Sequence, residues 1–175
     1  MSNLIGTYKY ASKEIKGYSN SEIAKNEKND CFVRAMAAAT NTDYDTSHKF
    51  VKENFNRKNK KGTEGIFIST QMMKFEEEGM KIGDKTFKVK VLSTNRITNK
   101  YKLYGEIVKR KKTVKSFIKD NPKGTFIVGV SKHAFTVKDG VLIDNAGEEF
   151  RPTRKVDSAY QVKSDSKEAI QLSLF

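Results

Sequence analysis

Three residue types in this chain have the chemistry to break an acyl bond by a covalent route. They are the sole cysteine, Cys31 in NEKNDCFVRA, then His133 in SKHAF, then Asp144 or Asn145 in LIDN. Only the thiolate of a cysteine is a good nucleophile, so Cys31 needs a base within reach. An imidazole serves as that base when a neighbouring carboxylate or amide fixes which of its nitrogens carries the proton. A lone cysteine early in the chain, with a histidine and then Asp or Asn late, supplies nucleophile, base and orienting group in that order.

Each of these side chains needs an element to carry it. Asn29 or Asp30 can cap a helix whose first turn holds Cys31 and whose body is the helix-forming run Ala35 to Ala39. The positive end of a helix favours negative charge, so a thiolate there is stabilised by the helix as well as by an imidazole. His133 and Asp144 fall in Gly124 to Asn145, where apolar runs at Thr125 to Val130, Ala134 to Val137 and Val141 to Ile143 predict a buried antiparallel sheet. Asp139-Gly140 is a hairpin signal. As a two-residue turn it sets Lys138 opposite Val141 and places His133 on the same sheet face as Asp144. A three-residue loop inverts the parity and brings Asn145 to His133 instead. The two-residue turn, with Asp144 as the orienting group, is the preferred register.

These three motifs resemble the catalytic order of papain-like cysteine peptidases, and more closely that of the small papain-like proteins carried by tailed bacteriophages. The resemblance spans Asn29 to Asn145 and rests on NDCFVRA, SKHAF and LIDN. It implies an α+β papain-like fold, with N-terminal helices packed on an antiparallel β-sheet and Cys31, His133 and Asp144 as the catalytic triad. It also implies a peptidase, deamidase or acyl transferase acting on a host or phage protein, without metal or cofactor. The chain departs from the family pattern at one point. A glutamine usually precedes the cysteine by about six residues as an oxyanion-hole donor, and Lys25 stands there. Asn26 or Asn29 offers a replacement side-chain amide, beside the Cys31 backbone N–H.

At 175 residues the chain is long enough for one domain with a core that needs no disulfide or metal. One cysteine excludes an internal disulfide, which suits a reducing compartment, and no apolar run approaches membrane-spanning length. The expected location is the cytoplasm, which the resemblance to phage proteins implies is that of a bacterial host. The 34 Lys and Arg against 21 Asp and Glu give a net charge of +13, which draws acidic partners over long range. The excess is mostly lysine, clustered at Arg57 to Lys61 and Lys109 to Lys112. Lysine suits nonspecific contact with DNA better than base reading. Tyr101 and Tyr104, interleaved with these cations, raise the alternative of a basic nucleic-acid-binding module.

The rest of the pattern is scaffold. Met1 to Lys28 reads as an irregular arm with a short helix after Ser19. A second helix starts at Asp45 or Thr46, and a third follows Ser69 and stops at Gly79. Thr86 to Leu92 alternates as a half-exposed strand, Thr98 to Ile107 reads as a surface strand, Thr113 caps a helix, and Val156 to Val162 is a last strand. No Cys, His or acidic cluster lies at ligand spacing around His48, so an exposed or half-buried structural role is expected rather than a zinc site.

The domain so read covers residues 1–163, and residues 164–175 read as a flexible tail. The tail carries Gln171-Leu172-Ser173-Leu174-Phe175. This string resembles, at all five positions, the linear motif with which bacterial replication and repair proteins dock on the β sliding clamp. The resemblance implies that the Gln171 amide sits in a polar subsite while Leu174 and Phe175 fill an apolar pocket. A tail ending in Leu-Ser-Leu-Phe is unusually apolar for a disordered segment, which fits docking. A non-catalytic protein that binds and inhibits the clamp is the rival reading.

Overall fold

The structure, a computed structural model, describes residues 7–146 and 150–165. Among these residues the chain forms seven helices and nine strands. Seven strands make one mixed sheet in the order β1-β8-β7-β6-β9-β3-β2. They are β1 (Thr7–Tyr10), β2 (Met80–Ile82), β3 (Lys85–Val91), β6 (Thr125–Val130), β7 (His133–Lys138), β8 (Val141–Asp144) and β9 (Val156–Ser164). The remaining two, β4 (Thr98–Leu103) and β5 (Glu106–Lys111), form a separate antiparallel ribbon.

The central strands of the sheet are buried on both faces, and their sequences show why. Ile127, Ala134, Ile143, Tyr160 and Val162 pack into one apolar cluster with α3 (Cys31–Thr40), α4 (Tyr44–Asn54) and α5 (Gly65–Glu78). Their sequence neighbours Phe126, Val128, Phe135, Val137, Leu142 and Ala159 pack into a second cluster with Val114 and Phe117 of α7 (Val114–Asp120). Successive side chains of a strand point to opposite faces, so continuous apolar runs such as TFIV serve two cores at once.

Helix α3 is the centrepiece of the first layer. Phe32, Val33, Met36 and the alanines at 35, 37 and 39 are all buried, and the small residues let the helix lie close on the sheet. The Thr136 hydroxyl of β7 donates to the Ala35 carbonyl at 2.7 Å, which registers helix against strand. Asn41, in the left-handed region at φ 50°, ends the helix. Helix α4 then begins at the cap Asp43, whose carboxylate accepts from the Thr46 N–H at 2.9 Å and from its hydroxyl at 2.7 Å.

Several expectations need correction. The sheet is not wholly antiparallel, because β1 pairs in parallel with β8, Thr7 opposite Val141. The arm before Cys31 is therefore a sheet edge, with α1 (Ala11–Glu14) and α2 (Glu22–Asn26) following it, and the Tyr8 hydroxyl bonds the Asp144 carbonyl at 2.5 Å. The helix expected after Thr113 is present as α7, which covers the opposite face, and the short α6 (Thr94–Ile97) lies before the ribbon. Helix α5 starts at Gly65 rather than after Ser69, and Asp43 rather than Asp45 or Thr46 caps α4. His48 is buried rather than exposed or half-buried, for the reason given below. No helix of the described residues is long and apolar enough to cross a membrane. The spacer beyond Asp165 and the string Gln171 to Phe175 lie outside the described residues.

Candidate active site

The turn after β7 has two residues. Asp139 and Gly140 both take positive φ, 48° and 79°, and Lys138 stands opposite Val141. This is the conformation that matches the twist of a tight hairpin, and glycine adopts it without strain. The Asp139 carboxylate accepts from the Gly124 N–H at 2.9 Å, which pins the turn to the start of β6. With that register His133 and Asp144 share a face, and His133 Nε2 lies 2.7 Å from Asp144 Oδ2. Asp144 is only 2% exposed, while the imidazole retains 19%. The Phe135 ring lies 6.1 Å from the imidazole and backs it with an apolar surface.

Cys31 arrives from the other layer. Helix α3 packs along β7, so its first residue comes to the start of that strand. There the thiol is hydrogen-bonded to the His133 imidazole and receives the Ala134 backbone N–H. Because Nε2 is held by Asp144, Nδ1 is the ring nitrogen left for the sulfur. Burial by itself raises the thiol pKa. The His133 hydrogen bond, the Ala134 N–H and the positive charges of His133 and Arg34 outweigh it, and Cys31 lies below the ordinary thiol value. The imidazole moves the opposite way. Its hydrogen bonds to Asp144 and then to Cys31 outweigh burial and push it up to about 9. Both shifts favour a thiolate beside an imidazolium.

Asp30 and Arg34 stand one helical turn apart and bond at 2.5 Å. The Asp30 carboxylate does not cap α3. It is taken by Arg34 and, at 2.7 Å, by the buried Tyr44 hydroxyl. The start of α3 therefore has no side-chain cap, and the Arg34 charge helps to lower the Cys31 thiol. Sequence reasoning passed over Arg34, Tyr44, Tyr8 and the Ala134 N–H. The spacing of Asp30 and Arg34 was the one available signal, as an i,i+4 pair of opposite charge.

The other expected site residues divide clearly. Asn29 sits at φ 56° on the lip of the cleft, its amide donating to the Lys60 carbonyl at 3.3 Å. Asn26 donates to the Glu22 carbonyl within α2 and lines a different, smaller cavity. Asn145 does not approach His133. Its side-chain oxygen accepts from the Ser12 N–H at 2.9 Å, because the two-residue turn gives the histidine face to Asp144.

The cleft over Cys31 has a volume of about 770 Å³. Its walls are the Gly62 to Gly65 segment on one side and the end of β6 with Ser158 and Tyr160 on the other. A buried cluster anchors the first wall. Arg57 pairs with Glu27, and His48 Nε2 lies 2.9 Å from Glu27 Oε2 and 3.2 Å from the Arg57 guanidinium. The Lys60 N–H reaches Glu27 Oε1 at 3.0 Å. This cluster explains the burial of His48, and it removes Arg57 from the exposed basic surface. Burial raises the Glu27 pKa, but hydrogen bonds from His48, the Lys60 N–H and Arg57 win and hold it below the usual carboxylate value.

Neither a scan against protein-family models nor comparison with curated proteins and with solved structures finds a match to this chain.

Proposed function

We propose that this chain is a papain-like cysteine hydrolase, with Cys31 as nucleophile, His133 as proton carrier and Asp144 as the group that orients the imidazole. One observation carries the reading. A helix-borne thiol and a buried carboxylate are hydrogen-bonded to the two sides of one partly exposed imidazole, at the edge of an open cleft. A structural cysteine has no use for a base, and the lowered thiol pKa follows from the same contacts.

The chemistry follows from those atoms. The Cys31 thiolate attacks a substrate carbonyl carbon, forming the S–C bond as the carbonyl π pair moves onto oxygen. The Cys31 backbone N–H at the start of α3 faces that oxyanion, and Asn29 is the side-chain amide on the same lip. Collapse of the tetrahedral centre breaks the bond to the leaving group, which takes its proton from His133. Neutral His133 then removes a proton from water, and hydroxide displaces the thioester to give the carboxylic acid and the free thiolate. Amide, glutamine side chain and thioester all satisfy this sequence.

The reading extends to recruitment. Gln171 to Phe175 would hold the enzyme on the bacterial sliding clamp, raising the local concentration of clamp-associated proteins without altering the active site. Such a protein would suit a phage acting on host or phage proteins at replicating DNA. The five-residue string also supports the rival, a clamp inhibitor without chemistry.

A p-nitrophenyl ester tests the catalytic reading directly. The proposal expects a burst of nitrophenolate matching the protein concentration and an acylated Cys31 in the mass spectrum, both absent in Cys31→Ser. No burst, or acylation spread over lysines, overturns it.

A further inference from the structure

The β4–β5 ribbon takes no part in either apolar core. Every residue from Lys100 to Ile107 is exposed, including Tyr104 at the turn, which is 98% exposed, and Ile107 at 72%. A two-stranded ribbon with both faces in water is marginal on its own. This one also carries an internal penalty. Cross-strand partners share a face, and the register sets Lys100 opposite Lys109, flanked on that face by Lys102 and Lys111. Like charges directly opposite destabilise a strand pair.

Little in the protein offsets this charge. Lys111 bonds Asp157 at 2.5 Å, but among the described residues nothing pairs with Lys100, Lys102 or Lys109. Glu106, the one acid of the ribbon, lies on the opposite face beside Leu103. Lys112, which follows the ribbon, is buried against Asp120 and belongs to the fold. The exposed lysines of the ribbon therefore gather on one face, with Arg110 alone on the other.

We propose that this lysine face is a binding surface for double-stranded nucleic acid, held through its phosphates without base reading. A two-stranded β-ribbon is one of the two elements that the major groove of a duplex admits. Lysines act as point charges on phosphate, whereas base reading needs planar forks that this face lacks. A single strand would call for aromatic platforms among the lysines. Here Tyr101 lies on the other face under Arg110, at 6.0 Å, and Tyr104 is confined to the turn. The surface is independent of the chemistry at Cys31.

The test uses the full chain and a fluorescently labelled duplex, with anisotropy followed across salt concentrations. The variant carries Lys100→Gln, Lys102→Gln and Lys109→Gln together. All three positions are exposed, and an unchanged circular dichroism spectrum and Cys31 alkylation rate serve as the folding check. The native chain should bind two unrelated duplex sequences equally. The variant should lose roughly 0.9 from the slope of log K against log salt for each lysine that had neutralised a phosphate. Its affinity at low salt should fall at least ten-fold. Unchanged binding in the variant, no binding by the native chain, or tighter binding to the single strand each overturns the proposal. Competition by polyglutamate that equals duplex charge for charge also overturns it, and makes the ribbon a docking face for an acidic protein.

Discussion

Asp144 Oδ2 lies 2.7 Å from His133 Nε2, across a hairpin whose two-residue turn alone decides that these side chains share a face. The carboxylate is buried, so the bond is sheltered from water and fixes the ring with Nδ1 toward Cys31. Asp144→Asn keeps the shape and removes the charge that raises His133. The expected result is a fall in ester acylation rate of about 10²-fold or more, within the range for a misdirected general base. An alkaline limb moved to lower pH should accompany it. Steady-state rates against pH for the two proteins read both effects.

The pH profile of the native protein follows from the same pair. Cys31 lies below its ordinary value and His133 at about 9, so acylation should rise as the thiolate forms, hold a plateau, and fall as His133 deprotonates near 9. The raised histidine and the lowered thiol have opposite stability signs. The histidine's contribution is full below the unfolded imidazole value of about 6.5 and is lost as pH rises through about 9, while the thiol's is present above its unfolded value and lost as pH falls through the folded one. The histidine's loss is therefore read in Cys31→Ser, where urea unfolding should show it across that window and show less of it when Asp144→Asn is added.

Arg57 holds a wall of the cleft from a distance. Arg57→Ala leaves Glu27 and His48 in a largely buried site without their partner, and should cost about 3 kcal/mol by chemical denaturation. The folded Glu27 pKa is depressed, so its contribution is present above the ordinary carboxylate value and lost as pH falls through the folded one. The variant should accordingly lose less stability on acidification than the native protein does.

The tail and the thiol are separable. Deleting Gln171 to Phe175 should abolish binding to purified sliding clamp in surface plasmon resonance and leave the rate of Cys31 alkylation unchanged. Cys31→Ser should do the reverse. A deletion that leaves clamp binding intact would remove docking from the account.

Much of the site was legible because its signals are local. Asp139-Gly140 between β-branched runs encodes the turn, the turn encodes parity, and parity selects Asp144 over Asn145. The Ala-rich run after Cys31 likewise encodes a helix whose small residues fit against a sheet. What the sequence withheld depends on distant partners. The four residues of β1 carry no alternation strong enough to mark a strand, and only their pairing with β8 makes them one. Arg57 reads as part of a basic loop until Glu27 and His48 are brought around it. Lys112 looks like the end of a surface cluster, and Asp120 of α7 draws it inside. A charge pattern gives no indication of which cations fold will pair.

The rate of Cys31 alkylation by iodoacetamide, measured against pH in the native protein and in His133→Ala, tests the central claim most directly. The account predicts rapid labelling well below the pH at which an ordinary thiol ionises, with the acidic limb shifted up to that range when the imidazole is removed. Slow labelling that rises only near the ordinary thiol pKa, and is indifferent to His133, would contradict it and leave Cys31 a packing residue at the end of a helix.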